Sequence, residues 1–387
     1  MNSSLTSVDQ AHLQRALEMA EGGRGRVSPN PLVGAVVVRD GQVIGEGFHA
    51  ELGGLHAERA ALADCRKRGE DPAGATMYVT LEPCAHQGRQ PPCVEAILEA
   101  GLARVVIASD DPSEKAAGRG PGILRDGGVE VAFASGTEAT AARRLNQPFR
   151  KHARTGLPLV VLKMAMSLDG QTATAAGDSP WISGPESREL VHRWRAEHDA
   201  IAVGIGTALA DDPLLTARIE GARQPKRVIF DSQARLPLDS QLLQTLDQAP
   251  VLVVTSPDAP TDRTSALQNA GAEIIIATDI DSALRELGRR EVTSLFLEGG
   301  RTLASSFLSA DQVDESRTFI APMLLGKFNP DPRAGGTVGG TMSEEASATG
   351  RHGGSPAVTG PARQQALSHT VERIGDDVLI TARLKEW

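Results

Sequence analysis

Apolar residues change their period repeatedly along this chain, and the changes divide it into two units. Leu13, Ala16, Leu17 and Ala20 recur at three- and four-residue spacing, which marks one face of a helix. Ser7 with Gln10 three positions later resembles a capping box at its start, and Gly22-Gly23 ends it. The β-branched run 33–38, the turn pair Asp40-Gly41 and the run 42–48 predict a hairpin. Helical periodicity returns over 56–68, and a short strand follows at 76–80. Pro92 suits the first turn of a helix that reaches residue 100. Strands are expected at 104–108 and 129–134. The order helix, hairpin, helix, strand, helix, strand, strand, helix predicts a mixed sheet covered by helices, an α/β domain in residues 1–147.

Residues 148–158 are polar and basic and read as a linker, and the alternating pattern resumes in 159–387. Strands are expected at 159–166, 200–203, 227–230, 251–255, 273–276 and 294–297. Ser183, Pro185 and Glu186 open a helix that runs to about residue 195. Helical patterns between several of these strands predict a second α/β domain with a mostly parallel sheet. Residues 335–360 are rich in Gly, Ser, Thr and Ala and read as a flexible insertion. Residues 371–384 predict a closing hairpin around Gly375-Asp376-Asp377, and no internal repeat is present.

Composition narrows the function classes. At 40% apolar and 23% charged residues the chain is an ordinary globular protein. A net charge of −9 argues against a general nucleic-acid surface, and 3% aromatic content disfavours base-stacking platforms. Three cysteines make no disulfide framework, and thiolate ligands suit a reducing compartment. The first ten residues carry no secretory pattern and no apolar run is long enough to span a membrane, so a cytoplasmic enzyme is expected.

The chemistry is concentrated in His56-Ala57-Glu58, Pro83-Cys84 and Cys93. Zinc takes Cys sulfur and His nitrogen, and a catalytic site keeps three protein ligands and one open position. His56, Cys84 and Cys93 would fill that ligand set. Glu58 is then free to move protons between water and a substrate nitrogen, as in the zinc deaminase signature H-x-E…P-C-x-x-C. The chain departs from that signature in placing eight residues between the two cysteines. A closed structural Cys2His2 site that includes His86 is the alternative, but it has no use for Glu58. Cys65 is left over and reads as a partly buried small residue.

With Pro83-Cys84-Ala85-His86-Gln87-Gly88-Arg89-Gln90-Pro91-Pro92-Cys93 in view, the chain resembles the bifunctional deaminase–reductase of riboflavin biosynthesis. Ser28-Pro29-Asn30-Pro31, Gly45-Glu46-Gly47-Phe48-His49 and Ala117-Gly118-Arg119-Gly120 resemble its deaminase half. Ser167-Leu168-Asp169-Gly170, Asp178-Ser179-Pro180-Trp181-Ile182, Asp211-Asp212-Pro213 and Glu298-Gly299-Gly300 resemble its reductase half.

The resemblance implies a three-layer, cytidine-deaminase-like zinc domain followed by a dihydrofolate-reductase-like domain that uses NADPH. It implies deamination of a diamino-ribosylaminopyrimidinone phosphate, then reduction of the ribosyl group to ribityl. By that resemblance Asn30, His49, His86 and Arg89 contact the first substrate. Ala165, Trp181, Thr207, Asp211, Ser232 and the turn Gly300, Arg301, Thr302, Leu303, Ala304, Ser305 and Ser306 line the NADPH site. Ser179, Arg195, Leu215, Arg218 and Glu298 face the second substrate, and a homodimer or higher homo-oligomer is expected. Gln171 departs from the family's basic residue after Ser-Leu-Asp-Gly, which bears on whether both activities are retained. The rival readings are a nucleic-acid or nucleoside deaminase with an unrelated second domain, a zinc-stabilised binding scaffold, and a chain with only one active half.

Overall fold

The computed structural model describes residues 5–88, 90–114, 116, 118–172, 182–326 and 364–387. The insertion expected at 335–360 lies outside them. The first unit runs α1 (Ser7–Ala20), β1 (Gly34–Arg39), β2 (Gln42–Phe48), α2 (Ala57–Arg68), β3 (Thr76–Val79), α3 (Cys93–Glu99), β4 (Arg104–Ile107), α4 (Arg119–Asp126), β5 (Glu130–Phe133) and α5 (Thr137–Leu145). Its sheet has the order β2-β1-β3-β4-β5. β1 is antiparallel to β2 and β3, whereas β3, β4 and β5 are parallel. Helices α2, α3 and α4 bury Leu62, Ile97 and Leu124 on one face against Val37, Met77 and Val105. On the other face α1 and α5 bury Leu13 and Ala142 against Val36, Tyr78 and Val106.

Two expectations need correction here. The sequence pattern put strands 104–108 and 129–134 in succession, but α4 intervenes, as a parallel pair requires a crossover. The cap of α1 is Thr6 with Asp9 instead of Ser7 with Gln10. Thr6 Oγ1 accepts from Asp9 N (3.1 Å) and the Asp9 carboxylate accepts from Thr6 N (3.0 Å). Asp is thus a working third residue of a capping box in this chain.

The seat of α2 depends on two glycines. A bulge between Val37 and Val38 of β1 leaves Ile44 unpaired on β2 and turns both Gly45 and Gly47 toward α2. A Cβ on Gly45 would lie 2.3 Å from Cys65 Sγ, and one on Gly47 would lie 2.5 Å from Ala61 N. Helix backbone and strand therefore meet with only the small side chains of Ala60 and Cys65 at the contact. Cys65, fully buried, packs into that contact and has no access to a site.

The stretch expected as a linker is mostly helix, α6 (Gln147–Thr155). The second unit continues with β6 (Leu159–Ser167), α7 (Pro185–Glu197), β7 (Ala200–Gly204), α8 (Ile205–Asp211), β8 (Lys226–Phe230), α9 (Gln241–Gln244), β9 (Val251–Thr255) and α10 (Thr261–Asn269). It closes with β10 (Glu273–Ile276), α11 (Ile280–Arg289), β11 (Ser294–Leu297), α12 (Arg301–Ser309), β12 (Glu315–Ala321), β13 (Ser368–Ile374) and β14 (Asp377–Arg383). The sheet order is β10-β9-β8-β7-β11-β6-β12-β14-β13, parallel from β10 to β12 and antiparallel through β14 and β13. The expected closing hairpin is present, but β12 was not anticipated. Helices α7 to α10 cover one face, and α11 with α12 cover the other. Among the described residues no helix is long and apolar enough to cross a membrane.

Asp9 joins three elements of the first unit. Beyond its cap it accepts from Tyr78 Oη (2.9 Å) and Arg104 Nη1 (2.6 Å). Burial alone would raise its carboxyl pKa, but Arg104, Thr6 and Tyr78 outweigh it and hold the pKa well below the usual range. A depressed carboxyl contributes stability above its unfolded pKa and loses it as pH falls through the folded value. Asp9→Asn is therefore expected to cost about 2 kcal/mol at pH 7. The gap to the parent should narrow below about pH 4. Denaturant midpoints followed through Tyr78, the single tyrosine, at both pH values check this.

Candidate active sites

His56 is the N-cap of α2 and makes no capping bond through its side chain, so the ring is free to turn toward the cysteines. Cys93 is the first residue of α3, with Pro92 as N-cap. Cys84 sits on the loop after β3, where its Sγ accepts from Cys93 N (3.3 Å). His56 Nδ1 lies 3.6 Å from Cys84 Sγ and 3.4 Å from Cys93 Sγ. The three ligand atoms fall within 4.8 Å of one another. Zinc bonds of about 2.3 Å to sulfur and about 2.0 Å to nitrogen, held at tetrahedral angles, separate S from N by about 3.5 Å. The triangle fits that requirement without rearrangement. The Cys93 thiol and the His56 ring hold the Cys84 thiol down to about 4, against the effect of burial, so Cys84 is poised as thiolate.

Glu58 lies in the first turn of α2, buried, and faces Cys93. Burial pushes its carboxyl up to about 7, and the Cys84 charge pushes the same way. It is not needed as a ligand. Glu58, His56 and Cys84 open onto a cavity of about 470 Å³ that Asn30, His49 and His86 also line. His49 Nδ1–H donates to Leu55 O (2.9 Å), which leaves Nε2 to accept from Asn30 Nδ2 (3.1 Å). Burial and the neighbouring His56 keep His49 neutral by lowering its pKa. His86 Nδ1 is buried with no partner among the described residues. Arg89 lies outside the described residues.

Glu82, which sequence reasoning did not single out, fixes the Cys84 loop. Its backbone N–H donates to Ser109 O (3.0 Å), and its buried carboxylate, with Oε1 unpartnered among the described residues, lies near the backbone of Asp111, Gly118 and Gly120. A Cβ on Gly120 would meet Pro83 O at 2.2 Å. Loop and α4 are therefore packed backbone to backbone.

Two further cavities open at the carboxyl ends of β7, β8, β9 and β11, where ligands bind in open α/β sheets. One, of about 650 Å³, is lined by Thr207, Ser232, Gly300, Thr302, Leu303 and Ser306, together with Arg235 and Ser256. The other, also about 650 Å³, gathers Arg195, Leu215, Arg218, Glu298 and Asp211, and Thr207 borders both. Ala165, Arg301, Ala304 and Ser305 line neither. Ala304 is buried under α12, and Arg301 turns to Thr172 Oγ1 (3.1 Å). Ser179 and Trp181 lie outside the described residues. Arg195 is engaged by Glu298 through Nε (2.6 Å) and Nη2 (3.0 Å). Burial would raise the Glu298 carboxyl pKa, but Arg195 and Lys163 hold it low.

The loop that carries Asp212, Leu215 and Arg218 places all three at positive φ, 38°, 54° and 52°. Such strain in non-glycine residues clusters at functional sites. Lys163 and His192 line the same cavity and were missed. Burial pushes the Lys163 ammonium pKa down, with Glu298 opposing and Arg195 reinforcing. Each left a signal: Lys163 is the one charge in the strand run LVVLKMAM, and His192 stands three residues before Arg195 on one helix face.

Comparison with known proteins agrees with this geometry. Residues 6–109 match the cytidine and deoxycytidylate deaminase zinc-binding region, and residues 158–339 match the RibD C-terminal domain. The chain is 40% identical to riboflavin biosynthesis protein RibD of Actinobacillus pleuropneumoniae, over 84% of this chain and 86% of the relative. It is 40% identical to the Escherichia coli RibD over 82% and 89%. The solved structure of Acinetobacter baumannii RibD superposes with a TM-score of 0.80 at 36% identity, covering 98% of this chain and 99% of that one. A Thermotoga maritima diaminohydroxyphosphoribosylaminopyrimidine deaminase/5-amino-6-(5-phosphoribosylamino)uracil reductase gives 0.80 at 35%, with the same coverage.

Cys84→Ser and His56→Ala are expected to drop zinc content from about one per chain to near zero after dialysis against a chelator. Metal analysis of the dialysed proteins checks this. Near-stoichiometric zinc in both variants would remove these residues from the ligand set.

Proposed function

The chain belongs to the RibD family, the bifunctional deaminase–reductases of riboflavin biosynthesis, and from that premise we propose which residues perform each step. It is a zinc deaminase and an NADPH-dependent reductase. It deaminates 2,5-diamino-6-(5-phosphoribosylamino)pyrimidin-4(3H)-one, then reduces the ribosyl group of the aminouracil product to ribityl. We assign deamination to residues 1–147 and reduction to 159–387, joined through 148–158.

His56, Cys84 and Cys93 hold zinc, which supplies water activated at neutral pH when bound. The observation that carries this reading is the ligand triangle at the rim of a cavity with buried Glu58 beside it. Glu58 takes one proton of the attacking water and passes it to the ring nitrogen, then carries the water's second proton to the amino group, which departs as ammonia. Asn30, polarised by neutral His49, and the open Nδ1 of His86 orient the pyrimidine edge. Arg89 is assigned to the phosphate.

The cavity around Thr207, Ser232, Gly300, Thr302, Leu303 and Ser306 takes NADPH, which supplies the hydride. Asp211 and the outlying Ala165, Trp181, Arg301, Ala304 and Ser305 are assigned to its margins. The adjoining cavity takes the aminouracil, with Arg218 and Arg195 toward the phosphate and Ser179 and Leu215 along the ring. The sugar opens to an imine before reduction, and Lys163 is placed to hand a proton to its ring oxygen. Gln171 keeps its turn by donating N–H to Ser167 Oγ (3.0 Å), so the lost basic side chain leaves the loop geometry in place. Both activities are therefore expected.

A homodimer through the reductase domain is supported by the outer strand β13, where Val371 is 60% exposed, and by Leu367 beside it at 61%. Thiolate zinc ligands and the absence of a disulfide pattern support a cytoplasmic setting.

Glu58→Gln should retain zinc and lower ammonia release by about 10²–10⁴-fold while NADPH oxidation on the aminouracil is unchanged. Normal ammonia release would refute the role. In the same coupled assay Lys163→Met should lower NADPH oxidation by about 10²-fold and spare ammonia release.

A further inference from the structure

Phe149, His152 and Ala153 recur at three- and four-residue spacing on α6, which places them on one helix face. All three line the cavity onto which His56, Cys84 and Glu58 open. Yet α6 belongs to neither sheet. From the deaminase side it is held through Arg150, whose guanidinium donates to Ser109 Oγ (3.2 Å) and Asp110 O (2.8 Å). From the reductase side it is held through Lys151, which pairs with Asp314 at 2.6 Å, both side chains only 1% exposed. His152 completes the hold: its ring Nε2 meets the carbonyl of Gly288, near the end of α11, at 3.0 Å. A Cβ on Gly288 would lie 1.9 Å from Gly156 O, so the ends of α6 and α11 pack backbone to backbone.

We propose that α6 forms a wall of the deaminase substrate site. His152 and Phe149 position the pyrimidine phosphate there, and the reductase domain fixes where they stand. The proposal rests on the reading of this cavity as the deaminase site. A carbonyl can only accept, so Nε2 of His152 is a donor committed to Gly288. Its Nδ1 edge and ring face are left for the substrate. Phe149 adds an apolar face against the flat heterocycle. His152 thus contacts the deaminase substrate while its orientation is set by a backbone group of the other domain. The dependence of one catalytic domain on the other is built into a single helical turn.

The test uses the full-length, zinc-loaded chain and the diamino precursor. His152→Ala and Phe149→Leu should each raise the KM for ammonia release about tenfold, which is the loss of one such contact. Their kcat should stay within about twofold, with zinc content and NADPH oxidation on the aminouracil unchanged. His152→Gln retains an amide donor for Gly288 and should recover most of the KM. An unchanged deamination KM in both His152→Ala and Phe149→Leu overturns the proposal. So does a parallel fall in both activities, which would mark α6 as structural only. Should His152→Ala fail to fold, Phe149→Leu and His152→Gln carry the same comparison. Normal ammonia release by Glu58→Gln would instead sink the reading of the cavity itself, so the two failures are separable.

Discussion

The contact between α2 and β2 is the constraint on which the zinc centre depends. Zinc tolerates little error: ligand bonds near 2 Å leave few tenths of an ångström for each donor. His56 is the cap of α2, so its position is set by where that helix lies on the sheet. Gly45 and Gly47 let the helix backbone touch the strand, and only the short Ala60 and Cys65 side chains share the contact, so no long side chain can flex to change the spacing. Gly120 performs the same service for the Cys84 loop at Pro83 O. Two close contacts, one under the helix that carries His56 and one beside the loop that carries Cys84, convert a chain signal of three distant residues into a rigid ligand set. A methyl added at Gly45, Gly47 or Gly120 would move a ligand, not merely loosen a core.

Rigidity between the two units has a different origin. A buried ammonium and carboxylate cost several kcal/mol each to desolvate, and only good geometry with further hydrogen bonds offsets that. Lys151 and Asp314 meet the condition. Asp314 also accepts from Val160 N (2.7 Å) and Trp387 Nε1 (3.0 Å). The Trp387 ring lies 5.2 Å from the Lys151 ammonium. The pair draws together α6, the start of β6, the segment before β12 and the last residue of the chain. Such an arrangement specifies one docking of the units, since any slip would strand a buried charge. A hydrophobic patch of equal area would permit sliding.

How much of this was legible in the sequence depended on chain distance. The zinc centre was, because its metal ligands fall on helix starts and a proline-led loop that local patterns reveal. The hairpin β1–β2, with Asp40-Gly41 between, was legible for the same reason. Strand β12 was not. Its run ESRTFIA is mostly polar, and it is a strand because it lies between β6 and β14. Helix α4 was hidden by Gly118, Gly120, Pro121 and Gly122, residues that ordinarily break helices but here cap, pack against Pro83 and begin a first turn. The reductase cavities were legible only by resemblance. Their residues come from the ends of four parallel strands, which topology assembles and no local pattern encodes. Arg195 showed a second limit. A cation can be placed in a site from sequence, but not whether a carboxylate already holds it, as Glu298 does here.

That pairing bears on the charge of the chain as a whole. A net charge of −9 describes the surface average, and it argues against a general nucleic-acid surface. It says nothing of the enclosed reductase cavity, where Lys163, Arg188, His192, Arg195 and Arg218 stand against Glu298, Asp211 and Asp212. Walls of low dielectric focus the field of such a cluster, so a few cations decide the local sign. Glu298 removes one of them from play by binding Arg195. Burial, then Arg195 and Arg218, lower the His192 pKa, so the ring disfavours a further positive charge beside the arginines. The cavity therefore keeps its cations and carboxylates near balance, with no large uncompensated charge among them. An acidic protein can therefore carry a cation-lined cavity, because the charge that matters to a ligand is local, not the sum over the surface.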